Sequence, residues 1–143
     1  MDLTVSVGET LKKLFPDIKQ IRRNQLEQGH EPHSFYVRRG RMQAQRELMN
    51  RQMRVYPFIL HYFPNRFPEN ETDKSETECE IMGERLMANF HYLNDHKARI
   101  LNPYYEVHDG VLLFYFHIRI RVTLPSPEET KMGELEEGGY TVG

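Results

Sequence analysis

The chain has 143 residues and a net charge of −2, and this length is enough for one domain. Its single cysteine excludes an internal disulfide. A charge this close to zero also argues against a general nucleic-acid-binding protein. The first residues lack the basic and apolar segments of a signal peptide, and no apolar run is long enough to cross a membrane. We therefore expect one soluble, intracellular domain over residues 1–125, followed by an acidic, flexible tail over residues 126–143.

A helix is predicted at the start of the chain, because five apolar residues recur there at helical spacing: Leu3, Val7, Leu11, Leu14 and Phe15. Pro16 ends this helix, since it lacks an amide proton and clashes with the preceding turn. Residues Ile18–Leu26 then predict a short first strand, and the sequence EQGHEP that follows is typical of a turn.

The segment over residues 33–64 has two apolar, aromatic-rich ends and an arginine-studded middle. We interpret Ser34–Leu48 and Gln52–Phe63 as two long antiparallel strands, joined by a tip at Met49–Arg51. A helix over Gly40–Met53 is the alternative, because the sequence MQAQRELMNRQM is rich in strong helix formers.

The second of these strands is apolar on both faces, which predicts a central strand that is covered on each side. Pro57 lies within it and cannot donate a backbone hydrogen bond. We therefore expect a bulge or a sheet edge at this position.

The clearest helix is predicted over Ser75–Leu93. Ser75 and Glu78 have the spacing of a capping box, in which each side chain bonds an otherwise unpaired amide. An apolar stripe follows at helical spacing: Cys79, Met82, Leu86, Phe90 and Leu93. On this stripe Cys79 is interpreted as a small core residue and not as a reactive thiol.

Residues Ile100–His108 and Val111–Leu124 predict a second hairpin around Asp109-Gly110, a strong two-residue turn signal. The last strand alternates between apolar and polar residues, which is typical of a strand with one face on the core. The order helix, three strands, helix, two strands indicates an α+β fold. We expect an antiparallel or mixed sheet with a long β-hairpin, packed by an N-terminal helix and one longer central helix.

The histidines and carboxylates form no catalytic or metal-binding set. The candidates occupy turns or a helix end, where these residue types are common for backbone or dipole reasons: His30, His33, His91, His96, Glu106, His108 and Asp109. A phosphate-cradling GxxxxGK loop and a GxSxG nucleophile elbow are both absent from the sequence. The protein is therefore predicted not to be an enzyme and to need no cofactor or metal.

Charge is distributed unevenly between the first hairpin and the tail. The hairpin carries the arginines Arg38, Arg39, Arg41, Arg46, Arg51 and Arg54, whereas the tail carries the glutamates Glu128, Glu129, Glu134, Glu136 and Glu137. The arginines could coat a solvated sheet face, contact nucleic-acid phosphates or contact another protein. Pairing of the tail with the hairpin of an adjacent subunit would account for both charge clusters, and we take the protein interface as the leading hypothesis.

These features together resemble a known family. A short amphipathic helix, the sequence HSFYVRRG, a polar hairpin that returns through YPFILHYFP, a capped helix and a final apolar hairpin are similar to the tail terminator proteins of tailed phages. The similarity is strongest to those of prophages and of contractile tail-like particles from Gram-positive bacteria. It covers residues 3–124.

The resemblance implies a virion protein, assembled in the host cytoplasm, that forms a ring, typically a hexamer, at the head-proximal end of the tail tube. Such a ring stops tube polymerisation and offers a surface for head–tail joining. The implied partners are further copies of the chain, the tail tube protein, the head–tail connector protein and, in contractile systems, the sheath protein. Neither membrane binding nor specific nucleic-acid binding is expected. The alternatives are a head-completion or adaptor protein of the phage neck and a small nucleic-acid-binding module that uses the arginine-rich hairpin.

Overall fold

Two helices and six strands form the described part of the chain, residues 2–23, 32–65, 72–93 and 98–125 of a computed structural model. The helices are α1 (Leu3–Leu14) and α2 (Thr72–Asn89). The strands are β1 (Gln20–Arg22), β2 (Ser34–Arg39), β3 (Gln43–Arg46), β4 (Arg51–Phe63), β5 (Leu101–His108) and β6 (Val111–Thr123). The predicted α+β class is confirmed.

All six strands belong to one mixed sheet, in the order β1-β2-β4-β6-β5, with β3 also paired to β4. The pairing of β1 with β2 is parallel, and every other pairing is antiparallel. The short strand predicted within Ile18–Leu26 is therefore present as β1, although the end of that range lies outside the described residues. In the strand order β1 lies at the edge of the sheet, beyond β2 and next to α1.

The first hairpin is confirmed, and the helix alternative over Gly40–Met53 is wrong. The strand predicted over Ser34–Leu48 is divided into β2 and β3, and the turn lies at residues 47–50, since Arg51 already belongs to β4. β3 and β4 pair antiparallel, and β4 pairs along its length with β6. The turn between them places Met49 and Asn50 at φ 62° and 61°. A two-sided ladder overrides the helix propensity of this segment, because backbone pairing to a neighbouring strand is a tertiary interaction that local propensity does not record.

The predicted disturbance at Pro57 is confirmed as a bulge. Arg39 lies opposite Phe58 and Gln43 opposite Val55, so the three residues 40–42 between β2 and β3 face two residues of β4. The Gly40 amide donates to the Pro57 carbonyl at 2.8 Å. Because both backbone polar groups of a strand residue point to one side, the amide proton that Pro57 lacks would also face this bulge.

The core lies between the helices and one face of the sheet. Phe58, Leu60 and Tyr62 of β4 are fully buried in the core to which both helices contribute, whereas Val55 and Ile59, on the opposite face, remain partly exposed. Phe63 and Tyr36, also on this opposite face, are buried, but neither described helix covers them, so the prediction that β4 is covered on each side is confirmed for one face only. We call the second face, which neither helix covers, the open face.

Helix α2 differs from its prediction at both ends. It begins at Thr72, so Ser75 lies inside the helix and the predicted capping box is wrong. The Glu78 carboxylate instead accepts hydrogen bonds from the Tyr62 hydroxyl at 2.7 Å and the Asn65 amide at 2.9 Å. The helix ends at Asn89, yet every residue of its predicted apolar stripe is buried, including those beyond this end.

The second hairpin is confirmed with its turn at Asp109-Gly110, where φ is 52° and 75°. The left-handed backbone at both positions is what a tight two-residue hairpin requires, and glycine adopts it without strain. Cys79 is confirmed as a core residue. Its thiol lies 3.5 Å from the Gly110 carbonyl oxygen, and burial raises the pKa of this thiol to about 12.

Candidate partner-binding surface

Three strands continue beyond the helices as a ribbon that contains no buried residue. We call this ribbon the extension; it consists of Gln43–Arg46, residues 47–50 of the turn, Arg51–Val55 and Arg119–Thr123. Its strands lie in the order β3-β4-β6, and the Leu124 amide donates to the Asn50 carbonyl at 2.7 Å. The predicted two-stranded hairpin is thus supported along one edge by the end of the last strand.

Strand alternation divides the predicted arginines between the two faces of the sheet. Arg39, Arg46 and Arg54 lie on the face that carries the helices, as their register opposite Phe58, Gln52 and Ala44 shows. Arg38 and Arg51 lie on the open face, and Arg41 is in the bulge. Arg54 is partly buried and the other five are exposed. The structure therefore does not bring the six into one basic patch.

Two further arginines, Arg119 and Arg121, join the open face of the extension, where they lie opposite Val55 and Met53. They were absent from the predicted site, although the strict alternation of the last strand already separated them from the core. Arg121 forms a forked ion pair with Glu47, with Nε–Oε1 at 2.6 Å and Nη2–Oε2 at 3.2 Å. The pair ties the turn to β6, and its hydrogen bonds lower the pKa of the Glu47 carboxyl.

Other arginines of the hairpin also have contacts inside the chain. Arg54 donates from Nε to the Gln52 side-chain oxygen at 2.7 Å. The Arg39 guanidinium lies over the Tyr56 ring, 5.3 Å from its centroid. These contacts orient the cations and leave most of the guanidinium groups open to solvent, as a surface for acidic or carbonyl-rich partners requires.

The tip of the extension is apolar. Leu48 is 83% exposed and Met49 is 82% exposed, the two largest exposures among the described large hydrophobic side chains. The left-handed conformation at Met49 and Asn50 fixes the turn that presents them. Two adjacent, highly exposed apolar side chains at the end of a three-stranded ribbon are a candidate contact for another molecule.

The open face carries aromatic and histidine side chains. The Tyr104 and Tyr115 rings stack with centroids 4.6 Å apart. Burial and the nearby Arg38 lower the pKa of His61, which favours its neutral form. Nε2 of His61 and Nδ1 of His117 are buried and have no hydrogen-bond partner among the described residues. This face thus combines apolar rings with unsatisfied polar atoms.

A separate network joins β2, β4 and α2 through polar side chains. His33 lies 2.8 Å from the Tyr62 hydroxyl through Nδ1 and 3.0 Å from an Asp17 oxygen through Nε2. The Tyr62 hydroxyl donates to Glu78, which also accepts from the Asn65 amide. Every member bonds to another part of the fold, so the network is structural.

Nothing in the described residues indicates a metal site or a membrane span. No three candidate metal-ligating side chains come together there. Nor is any helix in those ranges long and apolar enough to cross a membrane. Of the histidines considered above, His91 bonds the Ala88 carbonyl at 2.7 Å, and His30 and His96 lie outside the described residues.

The sequence of the chain matches a family of phage proteins. A family described as phage tail terminator protein matches residues 2–131. The chain belongs to the phage tail terminator family. This confirms the resemblance and makes the chain a structural protein of the phage tail, and hence of the virion. No curated protein matches the chain.

The terminator's acidic tail was part of the predicted interface. Its five glutamates, Glu128, Glu129, Glu134, Glu136 and Glu137, lie outside the described residues. Their pairing with the arginines of the first hairpin therefore stays a prediction, as does the division of the chain at residue 125.

Proposed function

We propose that this terminator assembles into a closed homo-oligomeric ring, a hexamer, that caps the head-proximal end of the tail tube, stops its polymerisation and provides the surface for head–tail joining. The observation that carries the proposal is the extension, which leaves the core with an apolar tip and with arginines on both faces. A ring built from one kind of subunit needs two different surfaces that meet head to tail.

The strand edges support such a contact. Among the described strands, none pairs with the outer edge of β3, and none pairs with β6 beyond Leu101 opposite His117. The extension thus has one unpaired edge on each side. A neighbouring subunit or the tube wall can continue the sheet at either edge through backbone hydrogen bonds. The exposed arginines on these strands oppose uncontrolled pairing before assembly.

Burial of the tip would supply part of the energy of assembly. Full burial of a leucine or methionine side chain is worth about 1.5–3 kcal/mol. Leu48 and Met49 are both more than four-fifths exposed, so nearly all of this is available to a partner. The arginines add specificity for an acidic surface and faster association, more than they add affinity.

The proposal is tested by native mass spectrometry and by a tube-growth assay with the tube protein of the same phage. The wild type is expected to form rings and to shorten the tubes. The double variant Leu48→Ser/Met49→Ser should fold normally and lose both properties. Ile81→Ser is the matched control, because Ile81 is 56% exposed on α2, away from the extension, and should retain both properties.

A chain that stays monomeric at high concentration and leaves tube growth unchanged would contradict the proposal. Binding to the connector without any effect on tubes would favour the neck-adaptor alternative. Strong binding to DNA or RNA at low salt, falling steeply as salt rises, would favour the nucleic-acid alternative. Because the arginines divide between two faces, we expect no such binding.

A further inference from the structure

A groove lies between α1 and β1, at the end of the sheet opposite to the extension. Its volume is about 530 Å³. Its apolar lining comes from Val5, Gly8 and Ile21. Its charged lining comes from Lys12, Lys19 and Arg23, against one acid, Glu9. The groove therefore joins an apolar floor to a rim with a net positive charge.

The edge of the sheet borders this groove. β1 pairs with β2 on one side, and no described strand pairs with its other side. Lys19, Gln20 and Ile21 line the groove and belong to β1 or lie next to it. An extended segment could therefore pair with the outer edge of β1 through backbone hydrogen bonds and place alternate side chains in the groove.

The chemistry of the rim selects an acidic segment with a few apolar residues. The chain contains one that fits, the sequence ELEEGGYTV at residues 134–142. Its glutamates match the lysines and arginine in charge, and Leu135, Tyr140 and Val142 supply apolar side chains for the floor. We propose that the groove between α1 and β1 binds this acidic segment from a neighbouring copy of the chain.

Geometry favours a neighbouring copy over the same chain. Leu124 bonds Asn50 at the tip of the extension, whereas Ile21 lies in register with Phe35 and Tyr62, at the far end of β4. The distance along β4 from Arg51 to Tyr62 is about 36 Å at roughly 3.3 Å per residue, and three strand spacings of about 4.8 Å at right angles to it bring the direct distance to about 39 Å. The ten residues from Leu124 to Glu134 span at most about 36 Å when fully extended, so the start of the segment falls short of its own groove.

The inference deepens the proposed ring and rests on it only in requiring adjacent copies. It also differs from the predicted pairing of the tail with the arginines of the first hairpin, which is the competing site for the same glutamates. Two arginines of that hairpin already have contacts within the chain, Arg54 with Gln52 and Arg39 with Tyr56. Lys19 and Arg23 instead line a groove that also offers an apolar floor and a strand edge.

The test is fluorescence anisotropy with a labelled peptide of residues 126–143. The receptor is the full-length chain with Glu134→Lys, Glu136→Lys and Glu137→Lys, so that its own tail does not compete. Saturable binding is expected. Adding Lys19→Glu and Arg23→Glu should weaken it about tenfold or more, since two attractive contacts become repulsive. The matched control adds Arg38→Glu and Arg51→Glu in the first hairpin and should leave the affinity unchanged.

Three outcomes overturn the inference: no binding, equal binding of a scrambled peptide of the same charge, or loss of binding only in the Arg38→Glu/Arg51→Glu variant. A Gly8→Leu variant, which fills the floor of the groove, should also weaken peptide binding, and it does so without altering charge. Circular dichroism verifies that each variant is folded. Peptide binding by a chain that forms no ring would contradict the proposed function and support the proposed binding site. Rings without peptide binding would support the proposed function and contradict the binding site.

Discussion

The packing of α2 on β5 depends on Gly83, and a pair of identical substitutions can measure that dependence. A Cβ atom at Gly83 would lie 2.7 Å from Cε1 of the Tyr105 ring and 2.8 Å from its Cδ1 and Cζ. A Cβ atom at Gly8, in α1, would lie 3.6 Å from the Ile21 side chain, an ordinary contact. Both glycines thus lie within a helix, but only Gly8 has space for a Cβ atom.

Replacing a helical glycine by alanine gains about 0.5–1 kcal/mol of stability, because the unfolded chain loses conformational freedom. Gly8→Ala should show this gain. Gly83→Ala receives the same gain and adds an overpacking cost of about 1–3 kcal/mol. The Tyr105 ring cannot move away easily, because its hydroxyl donates to Glu84 on α2. The stability gained by replacing a helical glycine is the same in both variants and cancels when they are compared. Gly83→Ala should therefore be less stable than Gly8→Ala by about 1–3 kcal/mol.

Urea denaturation, followed by circular dichroism, measures both unfolding free energies. In a Tyr105→Val background the penalty at Gly83 should disappear, and a double-mutant cycle isolates that coupling. If Gly83→Ala stabilises the chain as much as Gly8→Ala does, the described packing of α2 against β5 is wrong.

Three further predictions concern polar groups within the core and its rim. Tyr62→Phe removes the hydroxyl that donates to Glu78 and contacts His33, and should lower the unfolding free energy by about 1–3 kcal/mol in urea titrations; no change would refute the network. Cys79, whose pKa is raised to about 12 by burial, should resist a thiol reagent at pH 8 until the chain unfolds, and rapid labelling of the native protein would contradict its burial. The hydrogen bond from His33 lowers the pKa of the Asp17 carboxyl. The stabilisation that ionised Asp17 contributes is therefore present above the ordinary pKa of 3.8 and is lost as the pH falls further. The unfolding free energy of the wild type should exceed that of Asp17→Asn at pH 5, and the two should converge at pH 2.

Features set by local patterns were predictable from the sequence. The Asp109-Gly110 turn requires a backbone that few residue pairs adopt, and the alternation of β6 separates its core face from its polar face. The apolar stripe of α2 was also correct, because burial of one helix face imposes its spacing. Each of these signals lies within a few residues of the feature it encodes.

Features that depend on distant partners were not predictable in the same way. Ser75 and Glu78 have the spacing of a cap, but Glu78 bonds Tyr62 of another element, and the helix begins earlier. Proximity in sequence made the hairpin arginines look like one cluster, whereas strand alternation sends Arg38 and Arg39 to opposite faces. The ion pair of Arg121 with Glu47 joins positions that only the sheet brings together.

The groove beside β1 follows from a parallel pairing between two short, separate segments, and no local signal encodes that pairing. The apolar tip was visible as a sequence, but its exposure depends on the ribbon that holds it away from the core. For the same reason, the extension became a candidate surface only when all three of its strands were in place.

The most direct test of the terminator's proposed role is electron microscopy of tubes grown from the tube protein of the same phage, with and without this chain. The chain should shorten the tubes and appear as a ring of extra density at one end only. The Leu48→Ser/Met49→Ser variant should leave the tubes long and uncapped. Tubes of unchanged length with bare ends in the presence of the wild-type chain would contradict the proposal that it terminates the tail.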